Sequence, residues 1–119
     1  MNENILCLML YLSDNMWEDS PLRESASGNK FSLELTTDKK VWDDVIDFAV
    51  KKGVNSLLID VGDGIKFKSH PEIAVEGAWT PEFMTSEVKR LKKMGLKVYP
   101  KLNFSAAHDG WLGVYGRML

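Results

Sequence analysis

Six polar or aromatic side chains follow two apolar segments of the chain, and their types suit ligand binding. The apolar run "VNSLLI" is followed by Asp60 and Asp63. Asn103 lies within the segment "KLNFS", and His108, Asp109 and Trp111 follow that segment. Carboxylates, amides and imidazoles hydrogen-bond polar ligands. An indole adds a flat apolar face. We interpret all six as candidates for substrate binding and expect no catalytic residue among them.

Each candidate also has a structural interpretation. Asp60 and Asp63 could bind ligand hydroxyls or be held by a cation from a neighbouring strand, and Asp63 could stabilise the turn "GDG". Asn103 ends a buried strand and needs a partner, either a ligand or a neighbouring strand. His108 and Asp109 could form an orienting pair or contact a ligand hydroxyl, or they could be solvated loop residues. Trp111 is a stacking platform or packs its loop.

Alternating strand and helix patterns surround these residues. The run "NILCLMLYL", the segment from Val54 and the segment "LKVYPKLNFS" are typical of buried strands. "TDKKVWDDVIDFAVKKG" predicts a helix capped by Thr37 or Asp38, with an apolar stripe of Val41, Trp42, Val45, Ile46 and Ala49. "TPEFMTSEVKRLKKMG" predicts a second helix, capped by Thr80 and ended by Gly95. "FSLEL" could form a short extra strand.

The order strand, helix, strand, helix, strand predicts an α/β fold with a parallel sheet. Both helices end in a basic turn and a glycine that lead at once into a strand, in "KKGVNSLLI" and "KKMGLKVYP". This rhythm indicates part of a TIM (β/α)8 barrel, with about three parallel strands and two crossover helices. Residues 1–119 are interpreted as one N-terminal fragment of a barrel domain. Ligands bind at the carboxyl ends of the strands in such folds, where the candidate residues lie.

Composition excludes several classes of protein. The 119 residues carry a net charge of −2 with 45% apolar residues, which favours neither nucleic acid nor an anionic membrane as a partner. CxxC and HExxH patterns are absent, so we expect no metal and no cofactor. Cys7, in an apolar run, is predicted to be buried. The N-terminal run is too short to span a bilayer and lacks a basic n-region, which favours a cytoplasmic chain, or a secreted one if an upstream signal was removed.

Residues from about 40 to 119 resemble the early barrel of the family-20 glycoside hydrolases, the β-hexosaminidases. The resemblance is carried by "LLIDVGDG", "SHPEIAVEGAW", "TPEFMTSEVKRLKKMGLKVYP" and "KLNFSAAHD" in this order. It implies that the complete barrel hydrolyses β-N-acetylhexosaminides. In that family a catalytic Asp–Glu pair follows the fourth strand, with the Glu as general acid and the Asp orienting the substrate's acetamido group. The resemblance therefore places the catalytic acid beyond residue 119.

The chain also departs from the family pattern. Lys101 stands where the family usually has Glu after the Pro, and Ala106 and Ala107 precede His108 where the family tends to have Pro-Gly. The family's sugar-binding Arg has no clear match, although Lys66 or Lys68 could supply a cation. Lysine is a poorer bidentate partner than arginine.

Three hypotheses follow from these observations. The first is a glycoside hydrolase-like barrel, of which this chain is a truncated part that is inactive alone. The alternatives are a non-catalytic carbohydrate-binding relative of such barrels and a split or truncated structural fragment. In every case, three parallel strands leave open edges, so we expect the isolated chain to be marginally stable or to self-associate through those edges.

Overall fold

The chain forms a parallel three-stranded sheet with two crossover helices, in a computed structural model that describes residues 4–17 and 31–102. Strand β1 is Cys7–Tyr11, helix α1 is Lys39–Lys51, strand β2 is Ser56–Asp60, helix α2 is Pro81–Lys93 and strand β3 is Lys97–Lys101. The sheet order is β1-β2-β3, with β2 in the centre. The predicted α/β fold is confirmed as a three-stranded unit consistent with part of a (β/α) barrel.

Short-range signals set the ends of both helices. The Asp38 side chain accepts a hydrogen bond from the Val41 amide at 2.9 Å, and Thr80 accepts one from the Phe83 amide at 3.0 Å. Of the two caps expected for α1, Asp38 is therefore correct, while the Thr37 hydroxyl donates to the Leu12 carbonyl. Gly53 and Gly95 follow the helices with φ of 92° and 87°, a conformation that favours glycine.

Both helices cover the same face of the sheet. Leu57 and Ile59 of β2 pack in one core cluster with residues of both helices, and the ring of Trp42 meets that of Trp79 edge to face at 5.2 Å. The buried members of this core are Leu12, Trp42, Ile46, Leu57, Ile59, Val61, Ile65, Trp79, Met84, Leu91 and Leu96. Trp42 is a core residue, as expected.

The apolar stripe predicted on α1 is partly wrong. Trp42, Ile46 and Ala49 are buried, but Val41 and Val45 are exposed. Successive helical residues lie about 100° apart, so Val41 and Val45 form a second line that runs beside the buried one. This line faces away from the sheet.

Two further expectations need correction. Cys7 is exposed instead of buried, because it lies on the sheet face opposite the helices near the start of β1. The segment "FSLEL" forms an isolated bridge between Glu34 and Glu76 and no strand. The long segment between β2 and α2 contains a second isolated bridge, between Ile65 and Trp79, and a single 3-10 turn at Pro71–Ile73.

No helix within residues 4–17 and 31–102 is long and apolar enough to cross a membrane.

Candidate functional site

The carboxyl ends of the three strands bring together residues from three separate parts of the sequence. Tyr11, Asp60 and Lys101 end their strands and lie side by side in the pairing register. Side chains alternate along a strand, so all three occupy the sheet face opposite the helices. A 3-10 turn at Asn15–Trp17, just after β1, adds the indole of Trp17 to this edge.

Asp60 is the centre of this arrangement. Its side chain is 0% exposed, and its Oδ2 accepts hydrogen bonds from the Trp17 indole N–H at 3.0 Å and from the Lys101 ammonium at 3.2 Å. Its other carboxylate oxygen, Oδ1, is buried and has no hydrogen-bond partner in the part of the chain that the structure describes. Buried polar atoms are nearly always paired, so this oxygen marks a place where a donor is expected.

Aromatic rings and a cation surround the carboxylate. The Lys101 Nζ lies 4.4 Å from the centroid of the Trp17 ring, a cation–π contact. Tyr11 meets the same ring edge to face at 6.2 Å and is 45% exposed. The edge therefore combines a carboxylate, an ammonium group and two aromatic side chains.

Asp63 is turned toward the segment after β1. Its Oδ1 accepts a short hydrogen bond from the Ser13 hydroxyl, and its Oδ2 accepts one from the Asn15 side-chain amide at 2.9 Å. Asn15 in turn bonds both the amide and the carbonyl of Ser32. Asp63 is 1% exposed, and these contacts favour a role in positioning the segment that carries Trp17. Direct binding of substrate by Asp63 stays a prediction.

The remaining sequence candidates fall elsewhere. Asn103, His108, Asp109 and Trp111 lie outside the described residues, and their proposed roles stay predictions. Lys68 pairs with Glu82 at 2.6 Å on an exposed surface. The cation that contacts Asp60 is Lys101, and not Lys66 or Lys68. Trp79 belongs to the core and packs against Trp42.

The sequence did not assign a role to Lys101, which is the cation that pairs with Asp60. The hypothesis that a neighbouring strand holds Asp60 through a cation agrees with this contact. The sequence alone does not show that Lys101 lies opposite Asp60. Two residues separate Gly53 from β2, but only Leu96 separates Gly95 from β3, so equal counts from the two glycines do not reach paired residues. The extra residue, Asn55, bonds the Leu6 amide and the Asn4 carbonyl beside β1.

A second buried carboxylate lies between the helices. Glu87, 4% exposed, accepts hydrogen bonds from the Trp42 indole at 2.9 Å and from two nitrogens of Arg90 at 2.6 and 3.0 Å. Burial raises the pKa of Glu87, but the hydrogen bonds from Arg90 and Trp42 oppose burial and leave that pKa below its ordinary value. Lys39 and Asp43 complete the network. Every oxygen of Glu87 is thus paired, and the cluster joins α1 to α2.

An apolar groove of about 560 Å³ runs along the outer side of β3 and α2. Its lining includes Val98, Pro100 and Leu102 from the end of the sheet and Met84 and Val88 from α2. Val98 and Pro100 alternate with Lys101 along β3, so this groove lies on the helix side and is separate from Asp60.

In the described residues, no group of three or more His, Cys, Asp or Glu side chains is arranged to hold a metal ion. Comparison with protein-family models finds no match to this chain, and comparison with curated proteins finds no significant relative. The arrangement around Asp60 can accept a hydrogen bond, donate one from Lys101 and contact a ligand through aromatic surface.

Proposed function

We propose that this chain is part of a glycoside hydrolase-like (β/α) barrel whose complete form hydrolyses β-N-acetylhexosaminides, with Asp60 at its substrate-binding edge. The observation that carries the proposal is the buried, unpartnered Oδ1 of Asp60 at the carboxyl end of the central strand. A buried acceptor without a donor costs about 1–3 kcal/mol. A sugar hydroxyl would remove that cost, and this edge is where parallel α/β folds bind ligands.

The aromatic side chains beside Asp60 support a carbohydrate ligand. Trp17 and Tyr11 lie at the same edge as the carboxylate. Apolar faces of sugar rings pack on aromatic surface, while sugar hydroxyls hydrogen-bond charged groups. A site that offers both kinds of surface suits this ligand class.

The open side of the sheet supports a larger barrel. β3 is an outer strand of the described sheet, and the apolar groove beside it lies where the next helix of a (β/α) barrel would pack. Leu102 in the groove lining and Tyr99 on the opposite face of β3 are 49% and 48% exposed. Further strands would cover this surface.

Under this proposal the catalytic acid comes from a later strand, beyond residue 119. The described residues bind and orient the sugar, and the general acid protonates the leaving oxygen while the substrate's acetamido group attacks the anomeric carbon. We also propose that the protein is cytoplasmic.

The test is hydrolysis of an aryl N-acetyl-β-hexosaminide by the native protein purified from its source cells. We expect turnover by the native protein and none by the 119-residue chain alone. In the native protein, Asp60→Asn should lower kcat/KM by about tenfold or more, the loss expected for a hydrogen bond to a charged group. Asp44→Asn, on the exposed surface of α1, is the matched control and should leave kcat/KM unchanged.

Absence of turnover across aryl glycosides of several sugars would contradict the proposed activity. Saccharide binding without turnover would instead favour the second candidate, a carbohydrate-binding relative of such barrels. One observation favours that candidate: Asp60 is already paired with Lys101, which suits binding of a neutral ligand more than proton transfer.

A further inference from the structure

We infer that Asp60 and Lys101 form a donor–acceptor clamp that binds two adjacent hydroxyl groups of one sugar ring. This inference rests on the proposed carbohydrate site and adds which substrate groups the site recognises. It makes Lys101, the residue that departs from the hexosaminidase pattern, a determinant of specificity.

The acceptor half of the clamp is Asp60 Oδ1. A carboxylate has about four acceptor positions, and both recorded donors, Trp17 and Lys101, approach Oδ2. Oδ1 is left without a donor in the described part of the chain, although the side chain is fully buried. A ligand hydroxyl supplies the missing donor.

The donor half is the Lys101 ammonium. An ammonium group carries three N–H donors, and one is directed to Asp60 while the charge rests over the Trp17 ring. The side chain is 30% exposed, so the group reaches solvent and has donor capacity for a ligand oxygen. Because Asp60 itself is buried, ligand entry requires a covering group to move, and Lys101 has a flexible four-carbon stem.

Charge selects the ligand. The pair is neutral as a whole, so an anionic ligand would meet the unpartnered carboxylate oxygen and a cationic ligand would meet the ammonium group. Two adjacent hydroxyls satisfy both members, because one donates to Asp60 Oδ1 and the other accepts from Lys101. The two partners are adjacent in the pairing register of β2 and β3, and Lys101 Nζ lies 3.2 Å from Asp60 Oδ2, which places donor and acceptor side by side.

The test is calorimetric titration of the native protein with methyl N-acetyl-β-glucosaminide and with its 3-deoxy and 4-deoxy analogues. The wild-type protein should bind each deoxy analogue about tenfold more weakly than the parent sugar. Lys101→Met should bind the parent sugar about as weakly as it binds the analogue that lacks the lysine-bound hydroxyl. For this variant, the ratio of the two dissociation constants should fall below about threefold.

Two variants control this experiment. Lys97→Met removes a lysine from the same face of the same strand, four residues earlier, and should retain the tenfold preference. Lys101→Arg keeps the charge and the donors and should retain most of it. If Lys101→Met fails to melt cooperatively, equal binding of the three sugars by the wild-type protein still overturns the clamp, as does loss of the preference in Lys101→Arg.

Equal binding of the parent sugar and both analogues by the wild-type protein would overturn the clamp. Hydrolysis with such equal binding would leave the proposed function standing. Hydroxyl-dependent binding without hydrolysis would retain the clamp and contradict the proposed activity. No measurable saccharide binding would overturn both.

Discussion

Three buried carboxylates within residues 4–17 and 31–102 are held in different ways. Both oxygens of Glu87 and both oxygens of Asp63 accept hydrogen bonds from protein groups. Asp60 has one paired oxygen and one without a donor. These contacts favour structural roles for Glu87 and Asp63, whereas Oδ1 of Asp60 still lacks a donor in the described part of the chain.

Glu87→Gln tests the network between the helices. The change removes the buried negative charge that accepts from Arg90 and Trp42, while Arg90 keeps its pair with Asp43. We expect the free energy of unfolding to fall by about 1.5–3 kcal/mol, the range for hydrogen bonds to charged groups. Urea denaturation of the native protein at pH 7 measures the loss. Glu82→Gln on the same helix breaks a solvent-exposed pair with Lys68 and should cost much less than Glu87→Gln, because water screens exposed ion pairs. Equal losses in the two variants would contradict the assignment of Glu87 as a structural residue.

The stabilising effect of Glu87 should depend on pH in a definite direction. Its folded-state pKa is lower than the ordinary 4.5, so the unfolded chain binds the proton more readily. Its contribution is therefore fully present above pH 4.5 and is lost as the pH falls through the folded pKa. Denaturation at several pH values should show a constant difference between wild type and Glu87→Gln from pH 7 to about pH 6, shrinking below 4.5. A difference that grows on acidification would contradict this account.

At the scale of elements, the segment after β1 is fixed by side chains and not by a regular strand or helix. Asp63 bonds Ser13 and Asn15, and Asn15 bonds Ser32 across the intervening residues. This segment carries Trp17 to Asp60. The loop after β2 thus positions the loop after β1.

Asp63→Ala tests this positioning. The change leaves the buried Asn15 amide and Ser13 hydroxyl without their acceptor, and we expect a loss of about 2–3 kcal/mol. Amide exchange should accelerate at Ser32, whose N–H donates to Asn15 at 2.9 Å. Asp44→Ala, at an exposed helix position, serves as the control and should change stability by less than about 0.5 kcal/mol. Unchanged exchange at Ser32 in Asp63→Ala would refute the positioning role.

The glycine that ends α2 provides a second test at this scale. A Cβ at Gly95 would meet no atom within 4 Å, so any cost comes from its φ of 87°. Gly95→Ala should destabilise the chain by about 1 kcal/mol, and Gly95→Asn should cost less, since Asn tolerates this conformation better. Thermal unfolding of the two variants makes the comparison, and a stabilised Gly95→Ala would contradict it.

The elements were predictable because their signals are local. Asp38, Thr80 and the two glycines act within one turn of their helices. The exposed line of Val41 and Val45 was not distinguishable from the buried line, since both have helical spacing and the sheet decides which is covered. The pairing of Asp60 with Lys101 depends on the register of β2 and β3. One more residue lies between helix and strand before β2 than before β3, so equal distances from the helix ends do not give this register. Register is a property of the packed sheet and not of either segment.

At the scale of the whole molecule, the described sheet offers uncovered surface. β1 and β3 are its outer strands, and the groove of about 560 Å³ beside β3 is apolar. Tyr11 at the end of β1, Tyr99 in the middle of β3 and Leu102 just after β3 are each 45% or more exposed. Parallel strands in proteins are usually covered on both faces, so the account requires additional structure here.

We therefore expect the isolated 119-residue chain to associate or to melt without a sharp transition. Light scattering after gel filtration would give a mass above 13.5 kDa at micromolar concentration, decreasing on dilution. The intact mass of the native protein from source cells shows whether the structure that covers the open sheet belongs to the same polypeptide. A much larger polypeptide would mean that the barrel continues in the same chain. A compact monomer of this chain with cooperative melting would contradict the expectation.

Binding of a sugar by the carboxylate of Asp60 can be seen in a crystal structure of the native protein with N-acetylglucosamine. We expect a sugar hydroxyl oxygen within about 3.2 Å of Asp60 Oδ1, with a second hydroxyl within reach of Lys101 Nζ. A sugar bound elsewhere, with Asp60 Oδ1 occupied by a donor from the protein itself, would contradict the claim.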